Sequence, residues 1–282
     1  MKTLPPLDRA EWLLAFDFDG TLSCPEMSPL VPHDFFDVIR GLRDAHHVCW
    51  GINTGRSLMH TMEGIHQSNF PFLPDYIIAR EREIYTPNSY GRWLPVKEWN
   101  KQCNKAHKKL FRKHKRLLKS IRQWVESETS ADWGLQADEP AGMVASSVEE
   151  MDAIVSKLDV EIADAECLSY QRNAIYLRFS HENYHKGSAL AEVGRLIDIP
   201  TEKTFAIGDS YNDLDMLDIS IAAHLACPAN ACDEVKAQIT DSGGYVASAN
   251  AGLGALEALK ALFSTSQKNT DGGNRTRTSE ET

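Results

Sequence analysis

The chain has 282 residues, 42% apolar and 25% charged, with a formal net charge of -10. This is the make-up of a globular protein of one large or two smaller domains, and the acidic balance argues against wholesale nucleic-acid binding. No apolar run approaches a membrane span, residues 1–6 lack the apolar core of a secretory signal, and the six cysteines form no CxxC pair, so a cytoplasmic location is expected.

The chain opens on an apolar run, Trp12-Leu13-Leu14-Ala15-Phe16, that leads into Asp17-Phe18-Asp19-Gly20-Thr21. An unbroken apolar run of this length predicts a strand buried on both faces of a parallel sheet. Gly20 ends it, which places Asp17 and Asp19 at a strand's carboxyl end, where open α/β sheets bind ligands. Two carboxylates so close need a cation, a shared proton or both. A loop over 22–31, a helix over 32–45, a strand over 47–53 ending in Thr54-Gly55-Arg56, a helix over 58–66 and a strand over 75–79 follow. Strand and helix alternating in this way predict a parallel sheet with right-handed crossovers.

The pattern changes after Arg80. Residues 83–94 read as a hairpin turning at 87–91, and one long helix is expected over 96–126. Cys103, Ala106, Leu110, Leu117, Ile121 and Trp124 mark its buried stripe, while the stretch 101–122 carries ten lysines and arginines. Strands near 133–137 and 142–146, a helix over 148–158 and a strand over 174–179 complete a segment of α+β character. From Lys186 the parallel pattern resumes: a helix over 187–197, a strand over 204–207 ending in Gly208-Asp209-Ser210-Tyr211-Asn212-Asp213, a helix to 217, an apolar run over 219–226, and helices over 232–239 and 254–263. The expected division is a core of 1–82 and 182–263, an inserted domain of 83–181, and a polar, disordered tail of 264–282. Adjacent parallel strands would bring Asp209 beside Asp17 and Asp19, with Asp213 near, a hard-oxygen site suited to magnesium.

These residues resemble the motifs of the haloacid dehalogenase superfamily of phosphatases and phosphotransferases. Asp17 to Thr21 matches its first motif, Thr54 its second, Lys186 in Tyr184-His185-Lys186-Gly187 its third, and Gly208 to Asp213 its fourth. Thirty-three positions separate Thr21 from Thr54 and 132 separate Thr54 from Lys186. Only the second gap has room for a cap domain, as in the branch with Cof-type and sucrose-phosphate phosphatases. That branch often carries Asn-Gly after the third strand, where this chain has Arg80-Glu81-Arg82-Glu83.

The resemblance implies an α/β, doubly wound, Rossmann-like core with an α+β cap, and a magnesium-dependent phosphatase of a small phosphorylated metabolite, a sugar phosphate being the expected substrate. Asp17 would be the nucleophile and Asp19 the general acid and base. Thr54, Gly55, Lys186 and Asn212 would bind phosphate, and Arg56 could reach a substrate anion. Magnesium would be held by Asp17, the backbone carbonyl of Asp19 and Asp209, with Asp213 in support. Counting magnesium and Lys186 against four aspartates leaves net negative charge, most cheaply relieved by a proton on Asp19. A phosphomutase or phosphotransferase, and a non-catalytic protein that binds anions or nucleic acid through 101–122, are the alternatives. Neither a membrane nor a nucleic-acid partner is expected.

Overall fold

The computed structural model describes residues 9–134 and 141–271. The chain runs β1 (Trp12–Phe16), α1 (His33–His46), β2 (Val48–Asn53), α2 (Leu58–Gln67), β3 (Tyr76–Ala79), β4 (Glu83–Pro87), β5 (Trp93–Pro95), α3 (Lys97–Lys113) and α4 (Lys115–Glu128). It continues as β6 (Asp132–Trp133), β7 (Gly142–Val144), α5 (Val148–Glu161), β8 (Leu168–Asn173), β9 (Tyr176–His181), α6 (Lys186–Leu196), β10 (Thr204–Ile207), β11 (His224–Cys227), α7 (Asp233–Asp241), β12 (Tyr245–Val246) and α8 (Ala251–Asp271). No described helix is long and apolar enough to cross a membrane.

The large sheet has the order β12-β11-β10-β1-β2-β3-β4-β5, parallel from β12 to β3. β1 lies near its middle because every residue in it can be buried. Trp12, Leu14 and Phe16 face the core under α1 and α8, while Leu13 and Ala15 face the one under α6 and α7. Covering both faces of a parallel sheet with crossover helices is the doubly wound arrangement. Its consequence for function is that the ends of β1, β2, β3 and β10 converge at one edge.

A second, antiparallel sheet, β6-β7-β9-β8, has its own core. Leu110, Leu118, Ile121 and Val125 enter it from α3 and α4, Met151, Ile154 and Leu158 from α5, and Leu177 and Phe179 from β9.

Five sequence expectations need correction. The hairpin expected to open the inserted segment at 83 instead extends the large sheet, because β4 pairs antiparallel with β3 through Ile77–Ala79. The single helix over 96–126 is two helices: His114, at φ -96 and ψ 16, leaves the helical region between α3 and α4. Strand β8 went unforeseen because its sequence, Leu168-Ser-Tyr-Gln-Arg-Asn173, is largely polar and half-buried at a sheet edge. After β10 the expected helix to 217 is a 3-10 turn, Tyr211–Asp213, closed by a reciprocal Ser210–Asp213 cap. Helix α8 continues to Asp271, into the expected tail, because no glycine or proline interrupts residues 255–271. The rest of that tail, and residues 135–137 of the expected strand, lie outside the described residues.

His107 pins α3 to β9. Its buried ring donates from Nδ1 to the Cys103 carbonyl at 2.9 Å and accepts the His181 amide on Nε2 at 3.2 Å. Burial pushes its pKa down to about 4. The unfolded chain takes up this proton near pH 6.5 and the folded one does not, so stability is lost as pH falls through that window. Between pH 7 and 5 this single group should remove roughly 2 kcal/mol. Denaturant titrations at both pH values should show a His107→Gln variant losing less stability over that interval than the wild type.

Candidate active site

Asp17 follows β1, and its amide donates to Ile207 O at 3.0 Å, next to the point where β10 ends. Lys186 opens α6, where His185 provides the helix cap. The fully buried Lys186 ammonium donates to Asp17 Oδ1 at 2.5 Å and Asp213 Oδ1 at 2.6 Å. Asp213 Oδ2 accepts the amides of Asp209 and Ser210, both at 2.9 Å, which shapes the loop after β10. Asp209 in turn accepts from Thr21 Oγ1 at 2.7 Å. Gly20, at φ +79, lies so close to the Asp209 carboxylate that a methyl group would collide with it. The first and fourth motifs can meet only around a glycine.

Carboxylate oxygens of Asp17, Asp209 and Asp213 lie within 4.8 Å of one another. Burial, then neighbouring carboxylates, push Asp17 well above the usual carboxylate range despite Lys186. Burial and Asp213 push Asp209 up to about 7. Burial alone would lower the Lys186 ammonium, but Asp17 and Asp213 more than reverse this and raise it. Acids that hold protons this strongly mark a place where positive charge is in deficit. The donor set is oxygen only, so the residues fit a hard divalent cation such as magnesium.

Asp19 stands apart from this cluster. Arg56 grips its carboxylate with Nε at 2.7 Å and Nη2 at 2.5 Å, and stacks over Phe18 with its guanidinium 5.0 Å from the ring centre. Arg56, which the sequence count omitted, sets a positive charge beside Asp19. Arg56, expected to reach a substrate anion, is spent on Asp19. Thr54 follows β2, with its hydroxyl accepting the Arg56 amide at 3.1 Å. Thr54, Gly55 and Asn212 line a cavity of about 730 Å³ together with Asp17 and Asp19. The structure therefore brings together every expected site residue. The ten basic residues of 101–122 are all exposed on α3 and α4, and none lines this cavity.

Sequence reasoning missed four positioning contacts. Asn53 Nδ2 donates to Lys186 O at 3.0 Å, joining the second motif to the third. Asn230 Nδ2 donates to Gly20 O at 2.8 Å and its Oδ1 accepts the Ala251 amide at 2.7 Å, bracing the first-motif turn from α8. Glu81 and Arg178 close the cavity between the two sheets. The unusual residues at 80–83 hinted at the last of these.

A doubly wound sheet thus carries a lysine-bridged carboxylate cluster at its edge and faces a second sheet across a cavity. Residues 72–250 match the family model described as haloacid dehalogenase-like hydrolase, and the chain belongs to that family. A phosphoglycolate phosphatase of Methanosarcina acetivorans is 31% identical over 106 residues, which is 38% of this chain and 41% of that protein, so the match spans about two fifths of the relative's length. The fold is similar to that of the sucrose-phosphatase of Synechocystis, solved with sucrose and phosphate, at TM-score 0.68 and 20% identity over 90% of this chain and 98% of that one. It is also similar to the haloacid dehalogenase-like protein yhjK of Bacillus subtilis, at TM-score 0.61 and 15% identity over 93% and 95%.

Proposed function

We propose that this chain is a metal-dependent phosphatase of a small phosphorylated metabolite, with a sugar phosphate as the expected substrate. The observation that carries this reading is Lys186 buried between Asp17, just after β1, and Asp213, with the Asp209 carboxylate within reach of both acids. In this reading the Asp17 carboxylate attacks phosphorus, the bond to the leaving oxygen breaks, and an aspartyl-phosphate forms. Water then releases phosphate and restores Asp17. Asp19 gives the leaving oxygen its proton and later takes one from the attacking water. Arg56 orients Asp19 through its two-pronged contact. Thr54, the Gly55 amide, Asn212 and Lys186 hold phosphoryl oxygens and offset their charge. Asp17, Asp209 and the Asp19 carbonyl would hold the metal, and Asp213, whose oxygens are taken by Lys186 and two amides, would lend charge from behind. Such an ion supplies positive charge to the phosphoryl group. Among the described residues, we assign 9–96 and 182–271 to the core and 97–134 with 141–181 to a cap that excludes water and reads the leaving group.

The test is phosphate release from a panel of phosphorylated metabolites. Chelator should abolish release and magnesium should restore it. Magnesium alone should also raise the melting temperature, because it binds only the folded site. Release that persists in excess chelator overturns the metal site, and transfer of phosphate to an added sugar would reassign the chain as a phosphotransferase.

A further inference from the structure

Strand β3 is followed by Arg80 and Glu81, at φ 50 and 65, two successive non-glycine residues in the left-handed region. Side chains rarely adopt this conformation, and two in a row need outside support. The support is backbone: Arg80 N donates to Arg56 O at 2.8 Å and Glu81 N to Thr54 O at 2.9 Å. The turn is thus built onto the phosphate loop and sends the Glu81 carboxylate into the cavity, 5% exposed. Its Oε1 accepts Asn212 Nδ2 at 2.9 Å, and a Cβ on Gly55 would lie 3.3 Å from the same oxygen. Its Oε2 lies 3.5 Å from Arg178 Nη1, whose guanidinium donates to Gly55 O at 3.2 and 3.3 Å.

We propose that Glu81 is a specificity-determining residue: it makes the cavity select phosphate monoesters whose leaving group is an uncharged polyol and reject those that carry a second anion. This rests on the phosphatase reading. The charges around the cavity argue it. Two arginines line the cavity, and both are engaged, Arg56 by Asp19 and Arg178 by Glu81 and Gly55. Lys186 is enclosed by Asp17 and Asp213. Against them stand four lining carboxylates: Asp17, Asp19, Glu63 and Glu81. A second anion on the substrate meets like charge and must compete with Glu81 for Arg178. A hydroxyl instead finds hydrogen-bonding groups on Glu63, Gln67, Gln171 and Asn173.

The experiment compares glycerol 3-phosphate with 3-phosphoglycerate, which differ by one hydroxymethyl group against one carboxylate. The readout is the ratio of their kcat/KM values. The wild type should favour the ester of the uncharged alcohol by about a hundredfold. Glu81→Gln keeps the shape of the side chain but releases Arg178 from its carboxylate, and the ratio should fall by about tenfold or more, mainly through a lower KM for 3-phosphoglycerate. Glu81→Asp keeps the charge and should keep the preference, which separates charge from a merely structural role. If neither ester turns over, the ratio of their inhibition constants against p-nitrophenyl phosphate hydrolysis reads the binding part of the preference and should shift in the same direction in Glu81→Gln. Equal use of both esters by the wild type, or a ratio untouched in Glu81→Gln, overturns the proposal. Absence of p-nitrophenyl phosphate hydrolysis overturns the phosphatase reading itself, and with it this inference.

Discussion

Replacing Asp17 by Asn should lower turnover by at least about a thousandfold, since an amide cannot attack phosphorus and removal of a nucleophile costs several orders of magnitude. The fold should survive. Asp17 is buried, and its surroundings already push its carboxyl well above the usual range, so its negative charge opposes folding at neutral pH. Asparagine has the same shape without that charge, and Lys186 keeps Asp213 as a partner at 2.6 Å. The melting temperature should therefore hold or rise while phosphate release disappears. Turnover above about a thousandth of wild type, in protein shown to be folded, would assign the nucleophile elsewhere. A lowered melting temperature would mean that the Asp17–Lys186 contact stabilises more than burying Asp17 costs.

Lys186→Met should fail in both respects. Lys186 is fully buried and bridges two buried carboxylates, so removing it leaves Asp17 and Asp213 without their shared cation. Breaking a buried ion pair on one side costs about 3–5 kcal/mol, which corresponds to a fall of roughly 10 °C in melting temperature for a chain of this size. Loss of its positive charge at the phosphoryl site should also cost about a hundredfold in kcat. The sign of the pH dependence provides a control. In the variant, a proton on one of the two carboxyls can take the place of the ammonium, so the stability deficit against wild type should shrink as pH is lowered from 8 to 5. Thermal melts in chelator at both pH values measure this. A deficit that stays constant or grows with acid would contradict the charge arrangement described here.

What was legible in the sequence follows from chemistry that acts locally. An apolar run that stops at Asp17 or Gly208 specifies a buried strand and its polar end, whatever packs around it. The runs ending at Asp17 and Gly208 sufficed to expect Asp17, Asp19 and Asp209 at one sheet edge, Thr54 and Lys186 were added by the resemblance to the family's motifs, and the structure brings all of them together. The inserted α+β segment was legible as a change of periodicity after Arg80, though its first hairpin was not. Glu83–Pro87 has the pattern of any short strand, and which sheet it joins depends on whether the edge of β3 is open to it. The helix break at His114 and the polar strand β8 were hidden for a similar reason, because each is set by what it packs against.

The site divides in the same way. Sequence by itself determined which carboxylates end the buried strands, while the lysine and the threonine were named through the resemblance to the family's motifs. Tertiary structure decided how their charges are shared. Arg56 was visible beside Thr54, but only folding shows that it grips Asp19, 37 residues away. Glu81 and Arg178 lie 97 positions apart, and nothing in either neighbourhood announces the other. Periodicity and turn chemistry are properties of neighbouring residues, whereas ion pairing depends on distance in space, and the two sheets have to meet before that distance exists.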